Sequence, residues 1–123
     1  MEKAIIKKDG AGIICNADIA KNFWERFRGL MFAQSIPDSY GLLIRPCRQI
    51  HMMNMKFPLD VIHLSDDGTV VDIDEDIHPW KIGHTVKESA CVIEVNSGTC
   101  ARRGICVGDR LSVENTSRNE GEQ

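Results

Sequence analysis

Arg48-Gln49-Ile50-His51-Met52-Met53-Asn54-Met55-Lys56-Phe57-Pro58-Leu59-Asp60-Val61-Ile62-His63-Leu64-Ser65 is the stretch on which the fold reading turns. Core-type and surface-type side chains alternate on both sides of residues 56–60, and a period of two marks extended chain. Pro58 fixes its own φ and restricts Phe57 before it, which suits a connection between two strands. The expectation is a hairpin of residues 48–55 with 61–65, Met53 standing opposite His63. Ile50, Met52, Ile62 and Leu64 then share one face, the candidate core. His51, Met53, Met55, Val61 and His63 share the other.

The same extended pattern recurs at residues 41–44, 69–73, 90–95 and 110–115, and Asp66-Asp67-Gly68 is a hairpin signal between two of these runs. Upstream, Ala4-Ile5-Ile6 and Gly12-Ile13-Ile14-Cys15 flank Asp9-Gly10, so the chain should open with a β-hairpin. From Ala17 the apolar residues Ile19, Ala20, Phe23, Trp24, Phe27, Leu30 and Met31 recur at steps of three and four. That spacing predicts an amphipathic helix with Asn16 as its N-cap and Gly29 near its end. Residues 74–83, with Pro79 and Trp80, read as a surface loop. Residues 97–104 fit one helical turn begun by Ser97 or Thr99 and stopped by Gly104. The class is therefore mainly β: a compact β-sandwich or barrel-like domain with one amphipathic helix near the N-terminus and a short helical turn near the C-terminus. Residues 1–115 form a single domain, and 116–123 are expected to be a disordered polar tail.

A chain of 123 residues holds one core, and 42% apolar with 27% charged residues is a globular composition. Its net charge of −3 is spread along the sequence, without the basic stripe that phosphate neutralisation needs, which argues against nucleic acid as a partner. The Met1 to Lys8 segment is neither a signal peptide nor long enough to span a bilayer. No membrane insertion is expected, and a cytoplasmic location is. Five cysteines, an odd number without a C-x-x-C pair, point to reduced and mostly buried thiols rather than a disulfide framework.

The segments Arg28-Gly29-Leu30-Met31-Phe32, Gly41-Leu42-Leu43, Met52 to Asp60, Val92-Ile93-Glu94-Val95-Asn96-Ser97-Gly98, Gly104 and Gly108-Asp109 together resemble the Domain of Unknown Function 192 family, the uncharacterised ACR. The resemblance covers most of the chain. It implies a compact sandwich or barrel-like β fold with short helices and no established activity. The family's aromatic-Met-Lys-Asn-Thr run before Pro-Leu-Asp is matched at Met52, Asn54, Pro58, Leu59 and Asp60. His51 stands where the family usually has an aromatic residue, and Met53 where it usually has Lys. A site that depends on a lysine at position 53 is thereby put in doubt.

In the expected hairpin His51 and His63 are diagonal neighbours roughly 7–8 Å apart, near enough to converge on one ligand or ion. Cu(I) would tolerate the adjacent methionines, whereas zinc would want another His or Cys. Ordinary hydrogen-bonded strand histidines are the plainer reading. Cys47 and His51, four steps along a strand, lie roughly 13 Å apart, too far to share an ion unless the chain bends or makes a helical turn at residues 46–48. Asp60 is placed to tie down a turn by accepting backbone N–H groups, with general-base work as the alternative. Glu94, inside the apolar run Cys91-Val92-Ile93-Glu94-Val95, calls for a cation such as Arg28, Arg45 or Arg48, or else for a role in positioning a ligand. Asp72, Asp74, Glu75 and Asp76 read as a solvated acidic edge. Neither a G-x-S-x-G elbow nor an H-E-x-x-H helix occurs.

These features favour a non-enzymatic binding or interaction module for an unknown protein or small-molecule ligand. Its surface would be built from residues 48–60 and 74–84, with Arg48, His51, Met53, Asn54, Asp60, His63, Trp80 and Glu94 as candidate contacts and Trp80 and Met53 as anchors. No cofactor is called for by any motif. The competing expectation is a Cu or Zn site, or a small metal-dependent hydrolase, using His51, His63 and Asp60.

Overall fold

A computed structural model describes residues 1–117. Strands β1 (Glu2–Lys8) and β2 (Ala11–Ala20) are followed by helix α1 (Phe23–Arg28), then by β3 (Tyr40–Ile44), β4 (Leu59–Leu64) and β5 (Val70–Ile77). Strand β6 (Cys91–Asn96), helix α2 (Thr99–Arg103) and strand β7 (Leu111–Asn115) complete the chain. The strands form one curled, half-barrel sheet in the order β5-β4-β6-β3-β2-β1-β7, in which only the β2–β3 pair is parallel. The mainly-β, barrel-like expectation therefore holds, with a helix near the N-terminus and a helical turn near the C-terminus.

The curl brings the two sheet edges together at one end. Val70 N–H donates to Asp109 O at 2.7 Å, Gly108 N–H to Val70 O and Leu111 N–H to Gly68 O, both at 2.8 Å. Gly68 permits this approach: its φ is +87°, and a Cβ there would sit 2.3 Å from Leu111 O. Asp9 and Gly10, with φ of 53° and 80°, make the first tight turn as the sequence indicates.

Strand alternation sorts the core into two layers. Leu43, Ile62 and Ile93 face a cluster with Ile6, Ile14 and Leu111. Leu42, Ile44, Val61 and Val92 face a second, which Leu30, Ile50, Met52 and Met55 cover. Burying β3, β4 and β6 on both faces requires such a cover, and residues 48–58 supply it.

That arrangement corrects the expected hairpin. Residues 48–55 are not a strand; their one β-bridge joins His51 to Ile82, and Asn54 has a left-handed φ of 58°. Both edges of β4 are taken, by β5 and β6, so His63 stands opposite Asp72 and Val92 rather than Met53. The alternation of Ile50 and Met52 reflects burial in a covering loop, and burial alone does not create a ladder.

The N-terminal helix is shorter than its periodicity suggests. Ala17, Ile19 and Ala20 are strand residues of β2; Ala17 and Ile19 pair with both β1 and β3 and lie in the first cluster, and Ala20 pairs with Ile44 of β3. Alternating burial and two ladders outweigh a weak helical pattern. The cap of α1 is Asn22, whose side chain accepts Glu25 N–H at 2.8 Å, and Gly29 ends the helix at φ 48°. The expected loop at 74–83 is also partly strand, since β5 continues to Ile77. Helix α2 and its stop at Gly104 agree with the sequence, although Gly98, with no side-chain cap of its own, precedes it. The expected tail falls largely on residues 118–123, outside the described residues; Thr116 N–H donates to Lys3 O at 2.9 Å.

Candidate functional site

Three separated motifs meet over the second core layer. The turn after α1, the covering loop and Glu94 of β6 enclose a cavity of about 40 Å³, room for a water-sized group and not for an organic ligand. Gly29 lets the backbone pass close to the carboxyl, since a Cβ there would lie 3.3 Å from Glu94 Oε1. Glu94 is 4% exposed, and Oε1 has no hydrogen-bond partner. Among the described residues it forms no ion pair, so the expected pairing with Arg28, Arg45 or Arg48 does not occur. Burial without a compensating cation pushes its pKa up to about 8. Arg26, on the same wall, has a buried Nε that also lacks a partner, while its Nη1 reaches Pro46 O at 3.4 Å.

His51 stands at the rim of this cavity. Its Nε2 donates to Phe27 O at 2.9 Å and its Nδ1 accepts Met53 N–H at 3.3 Å, which defines the Nε2–H tautomer. The ring packs on Phe27 at 5.4 Å between centroids, and Phe27 in turn contacts Phe23 and Trp24. The chain around His51 gathers other segments: Phe32 N–H donates to Asn54 O at 3.1 Å, and Trp80 N–H to Met52 O at 2.7 Å. Met53 and Trp80 are 36% and 64% exposed, and Phe23, Trp24, Phe27, Phe32 and Ile82 are exposed as well. Sequence periodicity assigned the α1 aromatics to a buried face. A six-residue helix with no buried residue presents them to solvent instead.

Asp60 and His63 lie elsewhere. Asp60, facing the first core layer, accepts N–H groups from Asp76 at 2.9 Å, Gly98 at 3.1 Å and Cys100 at 3.0 Å. It clasps β5 to the start of α2, and the backbone donors it takes are distant in sequence rather than its own turn. Its carboxylate and burial together push the neighbouring Cys100 thiol up to about 12, burial being the larger cause. His63 is fully buried, with Nδ1 at 2.9 Å from Ser89 Oγ. The structure brings it together with Asp72, Asp74 and His84, not with His51; the ligand atoms of His63, Asp72 and Asp74 lie within 4.8 Å of one another. Sequence reasoning missed this group because the acidic run looked like a solvated edge. The signal available was the shared parity of Asp72 and Asp74 on a strand beside His63.

Arg48 is exposed and lines, with Arg45 and Lys87, an open groove of about 840 Å³. All five cysteines are free thiols, and burial pushes Cys47 and Cys91 up from the usual thiol range. No helix among the described residues is long and apolar enough to cross a membrane.

Among solved structures, the chain is similar to a protein of unknown function from Novosphingobium aromaticivorans, with a TM-score of 0.79, 25% identity and coverage of 89% of this chain and 83% of that one. A Sinorhizobium meliloti protein bearing the provisional name of a transcription regulator gives a TM-score of 0.77 at 28% identity, covering 91% and 92%. A UPF0127 protein of Thermococcus gammatolerans is 33% identical over 110 residues, which are 85% of this chain and 71% of the relative. The sequence profile of uncharacterised ACR matches residues 4–113, nearly the whole of the described chain: the chain belongs to the Domain of Unknown Function 192 family.

Proposed function

We propose that this domain is a binding module for a segment of another protein, one with apolar side chains flanked by acidic residues. The observation that carries this reading is the set of exposed apolar side chains on segments tied to the 51–54 loop. Phe23, Trp24, Phe27, Phe32, Met53, Trp80 and Ile82 are seven of the nine large apolar side chains exposed among the described residues. Apolar exposure concentrated in this way marks interaction surfaces, and aromatic residues and Met are the types that interfaces favour.

Charge selects the partner. The ion pairs made by Lys and Arg among the described residues use Lys3, Lys7, Lys8, Lys21, Arg102 and Arg110. Arg26, Arg28, Lys56 and Lys81, which neighbour the aromatic set in the chain, take part in none. Cations left unpaired beside an apolar surface favour acidic flanks on whatever covers it. The 40 Å³ cavity is too small to hold an organic ligand, which weighs against an enclosed small-molecule site here.

The two tryptophans of the chain both lie on this surface, so their fluorescence reports occupancy directly. Selection from a displayed peptide library on the purified domain should enrich apolar segments with Asp or Glu on their flanks. Against a synthetic peptide of that kind, Trp80→Ser should weaken binding by about tenfold or more, as for a central aromatic anchor. Failure to enrich such peptides would refute the reading. So would random-sequence nucleic acid binding more tightly than any peptide, with the steep salt dependence of phosphate contacts.

A further inference from the structure

Four polar side chains outside the recognition surface converge on the outer edge of the sheet, and their donor count does not balance. His63 of β4 and Asp72 of β5 are direct cross-strand partners, and Asp74 lies two residues further along β5 on the same face. His84 reaches over them from the loop beyond. Its Nε2 is 2.6 Å from Asp72 Oδ2, and its Nδ1 is 3.2 Å from Asp74 Oδ2. Two carboxylates offer only acceptors. His84 is the one group in the cluster with a proton to give to them.

His63 adds a third acceptor. The hydroxyl of Ser89 donates its single proton towards Cys47 O at 2.8 Å and Cys91 O at 3.1 Å. With that proton on the nearer carbonyl, we assign His63 Nδ1–H as the donor to the Ser89 oxygen at 2.9 Å. That hydrogen bond fixes the tautomer and leaves the lone pair of Nε2 free. Nε2 is buried without a partner in a residue that is 0% exposed, and a ring nitrogen of His63 lies within 4.8 Å of both the Asp72 and the Asp74 ligand atoms. Asp74 Oδ2 is likewise buried and lacks an aligned hydrogen bond. A donor-bearing neighbour satisfies these acceptors one at a time, whereas a cation satisfies all of them at once and offsets the carboxylate charge.

We infer that His63 Nε2, Asp72 and Asp74 form a divalent metal site with His84 as the fourth donor, and that its chemistry suits Zn²⁺. Imidazole nitrogen and carboxylate oxygen are both zinc ligands at about 2.0–2.2 Å, so the donors need only draw inwards. A neutral imidazole whose other nitrogen is tied to a hydroxyl is the arrangement that orients metal-bound histidines. Ser89 is thus a positioning residue. His84, whose two ring nitrogens face the carboxylates, exchanges those contacts for one bond to the ion. The site is independent of the proposed recognition surface and stands or falls separately from it.

The test is titration of chelator-stripped, full-length protein with Zn²⁺ alone, followed by calorimetry and by the ¹⁵N shift of His63 Nε2. We expect one equivalent to bind and the Nε2 resonance to move from its unprotonated to its metal-bound position. Asp72→Asn with Asp74→Asn preserves shape at two half-exposed positions and should lower affinity by at least about 100-fold, while Ser89→Ala should lower it by about 10-fold. Circular dichroism without zinc confirms that each variant is folded. If His63→Gln fails to fold, the paired carboxamide variant carries the decision. Absence of saturable binding overturns the proposal, as does undiminished binding to the carboxamide variant, which would put the ion elsewhere, on the thiols for example.

Discussion

At the scale of the residue, Glu94 is the most consequential side chain that the motifs contribute. A carboxyl buried against Gly29 and in no ion pair among the described residues keeps its proton when folded up to about pH 8, whereas its ordinary value is 4.5. Between those values the folded state holds more protons than the unfolded state, so stability falls as pH rises. The contribution is complete below about pH 4.5 and gone above about pH 8. The full loss is on the order of 3–5 kcal/mol for so large a displacement. Glu94→Gln keeps the shape and removes the titration. Urea denaturation at pH 5 and at pH 8.5 should show a marked drop for the wild-type chain and a much smaller one for the variant; equal drops would mean that the carboxyl is solvated or paired.

At the scale of the element, α1 illustrates how a strongly apolar pattern can mislead. Phe23, Trp24 and Phe27 look like a core-facing stripe, yet none of the helix is buried. Six residues form too short a helix to persist on propensity alone. The Asn22 cap and the Gly29 N–H bond to Glu25 O define its ends, and its aromatics pack on one another and on His51. Trp24→Ser should accordingly change unfolding stability by no more than about 0.5 kcal/mol, the range of exposed substitutions, as measured by chemical denaturation. A buried tryptophan would cost about 3–5 kcal/mol on truncation. A stability-neutral Trp24 is what a surface kept for a partner requires.

At the scale of the whole molecule, the half-barrel depends on its two sheet edges meeting where the β4–β5 turn reaches β7. Gly68 is the point of closest approach. Gly68→Ala must both strain a left-handed backbone and displace Leu111 O, and we expect it to cost about 3 kcal/mol or more. Gly10→Ala is the comparison: φ is +80°, but nothing lies within 4 Å of the added carbon, so only the backbone term of about 1–2 kcal/mol applies. Thermal unfolding of the two variants should separate them clearly. Equal losses would show that edge closure contributes little.

By itself the sequence determined what short-range chemistry dictates. Asp9-Gly10 and Asp66-Asp67-Gly68 turn the chain because positive φ is cheap there, the extended runs form most of the strands, and Gly104 stops α2. Spaced motifs identified the family. The tertiary structure alone decided which runs pair and what they meet. Residues 48–55 alternate like a strand, but β5 and β6 already fill both edges of β4, so the stretch became a cover and parted His51 from His63. Ala17 to Ala20 carried a helical period that two ladders overrode. Glu94, Gly29 and Arg26, and likewise His63, Asp72, Asp74 and His84, are scattered in sequence. Only the crossing of β6 beneath the covering loop, and the register of β4 with β5, put them side by side. Register is set by long-range pairing, on which local propensity has no purchase.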